Sequence, residues 1–340
     1  MDYGISLSLA RIPMARSMEL ARLAESSGFG TVSVGEAAHD SLAAASAMAV
    51  STSTIRVMTG VTTWVRPPVL TATGAATVDD ISGGRFTLGL GTMPEHWNRD
   101  HYGIDPVRPL QRMEEFVTIV RQTLAASSGD RVDHHGERFT VRGYRRVAAV
   151  GRPDIPIVLA ATRPAMACLA GRIADGVFFN VIATAEGIRH DILPAVARGR
   201  AQALDLDRPF ERLLLLRCSV DENESRAWER LRESLRMYLG VPYLADVASA
   251  AGFDVQPAIE LARHGRFDEA VEAIPMELVR QMGVGGTVDQ CRTQLRRYEG
   301  LVDTIVFAPP SGLSADEGVE QIRRIVTADW VPVPVGVRAS

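Results

Sequence analysis

The chain has 340 residues, 46% of them hydrophobic and 23% charged, with a net charge of −4. All 37 basic residues are arginine, which excludes Schiff-base aldolases, pyridoxal enzymes and P-loop ATPases, each of which needs a lysine. The arginines are scattered among acids, so neither nucleic acid nor a membrane surface is an expected partner, and no apolar run reaches the roughly 18 residues of a membrane span.

In chain order, a strand is expected over 4–9, an amphipathic helix over 13–27 closed by Gly28, a β-branched strand over 31–34 and a helix over 41–50. A third strand follows over 55–62, a helix over 69–81 and a fourth strand over 86–90. Such tight alternation is the signature of βα units in a parallel sheet. The pattern weakens between 94 and 153, where a helix over 109–124 precedes a polar stretch ending near Tyr144. It resumes with strands over 155–160 and 176–180, helices over 164–172 and through Ala203, a strand over 213–220, a helix over 222–238, and a last strand and helix over 302–308 and 315–326. About eight βα units in this length predict an α/β fold, a (β/α)8 TIM barrel with insertions near 94–150 and 240–285. Residues 1–330 form one barrel domain in this reading, and 331–340 an extended tail. The three cysteines, Cys168, Cys218 and Cys291, stand far apart, which argues against a disulfide framework or a zinc site and for a cytoplasmic protein.

In a barrel the chemistry sits at the C-terminal ends of the strands. Glu36, Ala37 and His39 follow the second strand, Thr59 to Trp64 the third, and Thr92 to Asn98 the fourth. Glu36, His39 and Glu95 are the candidate proton-transfer groups, with Trp64, Met93 and Trp97 as pocket walls; a lone loop Glu or His also serves simply to cap or solvate its loop. Trp64 is equally suited to packing the barrel rim. No His-x-His or His-Glu-x-x-His spacing occurs, so no metal is expected. After the fifth strand, Ala160, Ala161, Thr162 and Arg163 lead to Pro164 at a helix start, either an anion site or an ordinary tight turn.

Three segments sharpen this reading. They are 72–91, with Asp79, Ile81, Ser82, Gly83, Gly84, Arg85, Phe86, Leu88, Gly89 and Gly91; 156–180, reading PIVLAATRPAMACLAGRIADGVFFN; and 283–291, reading GVGGTVDQC. Taken locally, Ser82 to Arg85 is only a helix stop and a turn. Together and in this order the segments resemble the luciferase-like monooxygenase superfamily, in the branch that uses the deazaflavin coenzyme F420. The resemblance implies a barrel with a flavin-like ring across its strand ends and a cis non-prolyl peptide at Gly60–Val61 behind the ring. It also implies an acidic contact at Glu36 and further cofactor contacts at Thr59, Thr63, Thr92, Met93, Asn98 and Asn180. The loop of Ala160, Ala161, Thr162, Arg163, Ala165 and Met166 would hold the cofactor phosphate. Glu95 lies close to an acid that sugar-phosphate relatives use for proton transfer. Ala37, however, stands where those relatives carry a catalytic His, and Arg163 where relatives usually have Gly.

The implied activity is hydride transfer between F420 and a small organic substrate: an imine, enone, carbonyl or alcohol. The alternatives are an FMNH2-dependent monooxygenase with FMN in the same place, and a barrel that binds ligand without turnover. A homodimer is implied by the resemblance alone. Residues 241–286, with Tyr243, Phe253 and Phe267, are expected to cover one side of the pocket, and Cys168 to pack in the core.

Overall fold

The computed structural model describes residues 1–8, 12–36 and 39–330. Eight parallel strands form a closed ring: β1 (Asp2–Ser6), β2 (Thr31–Val34), β3 (Arg56–Thr59), β4 (Phe86–Gly91), β5 (Ile157–Ala161), β6 (Gly176–Phe179), β7 (Glu211–Val220) and β8 (Thr304–Ala308). They pair in chain order, and β8 returns to β1 through Tyr3↔Ile305 and Gly4↔Val306. The expected (β/α)8 barrel is the fold observed.

Period-two alternation explains how the strands serve two cores at once. On β7, Leu214, Leu216 and Cys218 face the outer layer of helices, while Leu213 joins Met58, Val158, Phe178 and Val306 inside the barrel, with Val61 and Leu215 at the edge of that inner cluster. Below this apolar layer, Arg56 on β3 reaches across to Glu211 on β7 at 2.6 and 2.9 Å, with Thr31 and Thr304 bonded to the pair. Arg152 pairs with Asp79 at 2.5 Å, and Arg121 with Asp175 at 2.9 Å, around the same N-terminal face. At this face the all-arginine inventory serves stability, as expected for the end of a barrel remote from its chemistry.

The Ser82–Arg85 turn has the structural role its sequence suggests. Gly83 and Gly84 adopt φ of 65° and 85° and end the helix Pro68–Ser82, and Arg85 donates to the carbonyls of Ser82, Ile55, Ala49 and Thr52. The helix Pro164–Ile173 crosses Leu193–Arg200 backbone to backbone. A Cβ on Gly199 would stand 1.9 Å from the Cys168 carbonyl oxygen, so only glycine permits this approach. Cys168 packs against the outer core, as expected.

Several boundaries differ from the sequence reading. The first strand occupies Asp2–Ser6, so that Leu7 and Ser8 already lie beyond it, and residues 9–11 lie outside the described residues. The third strand ends at Thr59, ahead of a cis Gly60–Val61 peptide, and pairing with β4 resumes only as Thr62–Thr63, opposite Leu90 and Gly91. The polar stretch near Tyr144 is an antiparallel hairpin, Arg131–His135 with Thr140–Arg145, whose mostly exposed residues lack the apolar face that would have signalled it. The helix expected over 222–238 begins after the Asn223 cap and gives way to a 3-10 turn at Arg236–Tyr238. In the second insertion, four short helices (Pro242–Ala250, Gln256–Arg263, Phe267–Glu272, Met276–Met282) build an apolar cluster of their own with Trp228, Leu231 and Tyr238, and Val181 and Ile182 from the end of β6 join it. Leu215 touches both this cluster and the barrel interior, which fixes the insertion over the β6–β7 side of the mouth. Phe253 packs on the cluster, whereas Phe267 is exposed.

Candidate active site

Glu36 leaves the end of β2 with its backbone N–H bonded to the Val61 carbonyl at 3.0 Å. Its side chain then reaches the loop after β3, where Oε2 accepts from the Thr63 N–H at 2.8 Å and the Thr63 hydroxyl at 3.0 Å. Two donors on one oxygen fix the carboxylate, and Oε1 has no protein partner among the described residues. An isolated β-bridge sets the backbones of Glu36 and His39 alongside one another, and His39 carries a buried Nε2 with no hydrogen-bond partner among the described residues. Glu36, His39, Thr63, Gly60 and Val61 are therefore brought together. Ala37 lies outside the described residues, as does the expected tail 331–340.

The cis peptide forms the floor. A Cβ on Gly60 would meet Ser33 Oγ at 2.2 Å and Phe178 Cε1 at 3.0 Å, so the backbone here lies directly on the inner core. Ser33 Oγ, beneath it, is buried without a partner among the described residues. Val61 and Leu215, although on the inner side of the barrel, remain partly exposed, so the top of the apolar interior opens to the mouth.

The wall after β4 is held from behind. Asn98 is fully buried; its Nδ2 donates to the carbonyls of Thr92 at 2.7 Å, Pro94 at 3.0 Å and Met93 at 3.3 Å, and its Oδ1 accepts from Trp64 Nε1 at 2.6 Å. These bonds hold Met93 at φ 60°, a left-handed conformation that a non-glycine residue keeps only when its surroundings impose it. Thr92 and Met93 themselves stay partly open.

Several expected contacts are placed otherwise. Asn98 spends its whole amide on the loop and Trp64, so it shapes the wall and has nothing left for a ligand. Trp64 is 2% exposed, with the Arg112 guanidinium 5.4 Å over its ring, and packs at the rim, where its edge lines a cleft with Arg66, Ile104, Arg112, Phe139 and Tyr144. Thr59 is fully buried, with its hydroxyl bonded to both N–H and C=O of Gly89 at 2.9 Å, where it stands in for the ladder that β3 and β4 lack beyond Met58↔Thr87. Glu95 is turned outward and paired with Arg99 at 2.6 Å, both largely exposed, because it opens the surface helix Glu95–Tyr102. Trp97 sits between His96 and His101 on the same helix.

After β5, Ala160, Ala161 and Thr162 lead into the helix Pro164–Ile173. No side chain caps its start, and the N–H groups of Ala165 and Met166 have no partner among the described residues, an arrangement suited to an anion. Arg163, expected in the phosphate-holding loop, is paired with Asp246 of the insertion at 2.5 Å, because the helix Pro242–Ala250 docks beside it. After β6, Asn180 Oδ1 accepts from the Ile182 N–H at 3.2 Å and orders that turn. Among the described residues no group of three His, Cys, Asp or Glu side chains is placed to hold a metal.

A model of the luciferase-like monooxygenase family matches residues 2–304. The chain belongs to this family. The 5,10-methylenetetrahydromethanopterin reductase of Methanolobus tindarius is 32% identical over 331 residues, 95% of this chain and 98% of that protein. A Mycobacterium tuberculosis protein named provisionally as a coenzyme F420-dependent oxidoreductase is also 32% identical, over 90% of this chain and 95% of its own. Among solved structures, the coenzyme F420-dependent tetrahydromethanopterin reductase of Methanopyrus kandleri superposes with a TM-score of 0.77 at 22% identity, covering 95% of this chain and 97% of that one. At that identity the superposition shows the shared barrel fold.

Proposed function

We propose that the protein is an oxidoreductase that moves a hydride between coenzyme F420 and a small organic substrate carrying an imine, enone, carbonyl or alcohol. One observation carries the reading: a carboxylate, Glu36, pinned by Thr63 beside the cis Gly60–Val61 peptide at the open end of a closed barrel. The two relatives at 32% identity, both named for reductive or F420-dependent chemistry, support it.

The residues present fit such a cofactor. The uncapped N–H groups of Ala165 and Met166 suit a phosphate, and the small side chain of Ala160 leaves room for the chain that carries it, whereas Ala161, expected as a contact, packs in the outer core. Val61 and Leu215 offer an apolar surface for a planar ring, and the Thr92–Met93 wall borders it. When bound, F420 supplies the two-electron redox centre that no side chain of this protein possesses. Thr63 orients Glu36 so that Oε1 is the oxygen presented to the mouth. Glu36 holds or releases the proton that the substrate exchanges at its oxygen or nitrogen, with the buried Nε2 of His39 as the neighbouring proton site. The insertion over β6 and β7 keeps water from that side of the mouth.

The test is a pair of titrations of the purified protein with F420 and with FMN, followed by turnover assays on imines, enones, aldehydes and alcohols. Saturable F420 binding with turnover of at least one class is expected. Tight FMN binding with none for F420 overturns the reading in favour of an FMNH2-dependent monooxygenase.

A further inference from the structure

At the mouth of the barrel stands a half-buried cation, Arg217, with no carboxylate partner among the described residues. Arg217 lies on β7, and alternation places it on the same face as Leu213 and Leu215, which puts it above the apolar interior at the mouth. In a ring of eight strands β7 stands opposite β3, so Arg217 projects from the wall facing the Gly60–Val61 floor and the Thr63 bonds that hold Glu36. Its Nη1 donates to the Pro309 carbonyl at 2.5 Å, its Nη2 lies 3.9 Å from Met237 Sδ, and the Tyr238 hydroxyl rests against the guanidinium. The Nε atom is itself buried and has no partner among the described residues.

None of these neighbours carries negative charge. Burial pushes the Tyr238 phenol up, so it stays neutral, and burial pulls the Arg217 pKa down without discharging a guanidinium. Arg112 and Arg297 also lack a carboxylate among the described residues, but each lies over an aromatic ring instead of on the inward phase of a barrel strand, and several other partly buried arginines are paired or bonded more fully. Arg56, Arg121, Arg152 and Arg230 each meet a carboxylate, and Arg85, which has none, spends its donors on four carbonyls. Arg217 has one carbonyl, one sulfur and one phenol for five N–H donors, and no anion among the described residues offsets the cost of its partial burial. Tyr238 meets Tyr243 edge to face at 6.0 Å, and beyond them Arg163 is already neutralised by Asp246.

We infer that Arg217 is the anchor for a substrate carboxylate, so that the molecule reduced or oxidised in this barrel carries a carboxylate besides its reacting group. A planar fork with one net charge matches a carboxylate in shape and charge. This inference rests on the mouth being the reaction site, and it assigns the substrate class that the proposed function leaves open.

The test titrates the protein, with and without F420, with butyrate and benzoate and with their neutral amides, using wild type, Arg217→Met and Arg217→Lys. The expected result is carboxylate binding at least tenfold tighter than amide binding, a loss of tenfold or more in Arg217→Met, partial recovery in Arg217→Lys, and F420 affinity within twofold throughout. Equal binding of acids and amides, or carboxylate binding indifferent to Arg217→Met, overturns the inference. So does an Arg217→Met variant that weakens F420 as much as benzoate, which would assign the guanidinium to the cofactor's own anions. Failure of F420 to bind while Arg217-dependent benzoate binding persists overturns the proposed function and leaves this inference standing. Circular dichroism and the Arg217→Lys variant separate loss of binding from loss of fold.

Discussion

Replacing Asn98 by alanine removes the clamp behind the β4 wall. The amide makes two good bonds to the Thr92 and Pro94 carbonyls, at 2.7 and 3.0 Å, a third contact to Met93 at 3.3 Å, and accepts from Trp64 at 2.6 Å. With three effective hydrogen bonds at about 1 kcal/mol each, and the Trp64 N–H left buried without an acceptor, the cost is about 3–4 kcal/mol. Part of it is recovered if Met93 relaxes from φ 60° to an ordinary backbone conformation, and that relaxation moves the wall. Asn98→Ala is therefore expected to lower the urea midpoint and also to weaken F420 about tenfold. Asn98→Asp keeps the Trp64 acceptor but sets a carboxylate against three carbonyls, and should perform no better. Equilibrium unfolding followed by tryptophan fluorescence, with F420 titration at a denaturant concentration where both variants are folded, measures the two effects. Stability within 1 kcal/mol of wild type together with unchanged F420 affinity would refute the assignment of Asn98 to the wall.

Three other outcomes follow from the same geometry. Glu36→Gln should lower kcat roughly 100-fold or more while leaving the unfolding midpoint in place, since the amide oxygen still accepts from Thr63; steady-state kinetics beside a melt decides it. Gly89→Ala would place a Cβ 1.8 Å from the Thr59 carbonyl oxygen and should cost about 3 kcal/mol. That is more than Gly28→Ala, where φ is 84° but nothing lies within 4 Å and about 1–2 kcal/mol is expected; comparative unfolding of the pair is the check. Asp221 is held at about 2 by its bonds to Arg226, with the Asn223 N–H and Arg230 adding to them. This folded-state value lies below the unfolded one of about 4, so the stabilisation is full above pH 4 and is lost as pH falls toward 2. Its size is at most about 2 kcal/mol, since Arg226 is half exposed and screened. Asp221→Asn should thus be less stable than wild type at pH 6 and equal to it near pH 2; a constant difference across that range would contradict the linkage.

The barrel was legible because its strands and helices alternate with little interruption, and because Gly83, Gly84 and Arg85 form a helix stop that the structure uses as such. Glu36 and His39 were legible as polar residues at a strand end. What the sequence could not disclose was competition for each polar atom. Asn98, Thr59 and Arg163 look like ligand contacts when read one by one, yet each is claimed by a partner from another element: Trp64, Gly89 and Asp246. Glu95 fails for a different reason, since the first residue of a surface helix points outward. The hairpin at 131–145 was hidden because neither strand buries a continuous face. Arg217 left a trace that periodicity could have caught, a charge on the inward phase of the otherwise apolar run Leu213–Leu216.

The central claim is that this mouth is built for a deazaflavin and for proton exchange through Glu36. Its most direct test is a fluorescence titration of wild type and Glu36→Gln with F420 and FMN. The account predicts saturable one-to-one F420 binding in both proteins, far weaker FMN binding, and turnover confined to wild type. FMN binding with no F420 binding, or full turnover in Glu36→Gln, would contradict it.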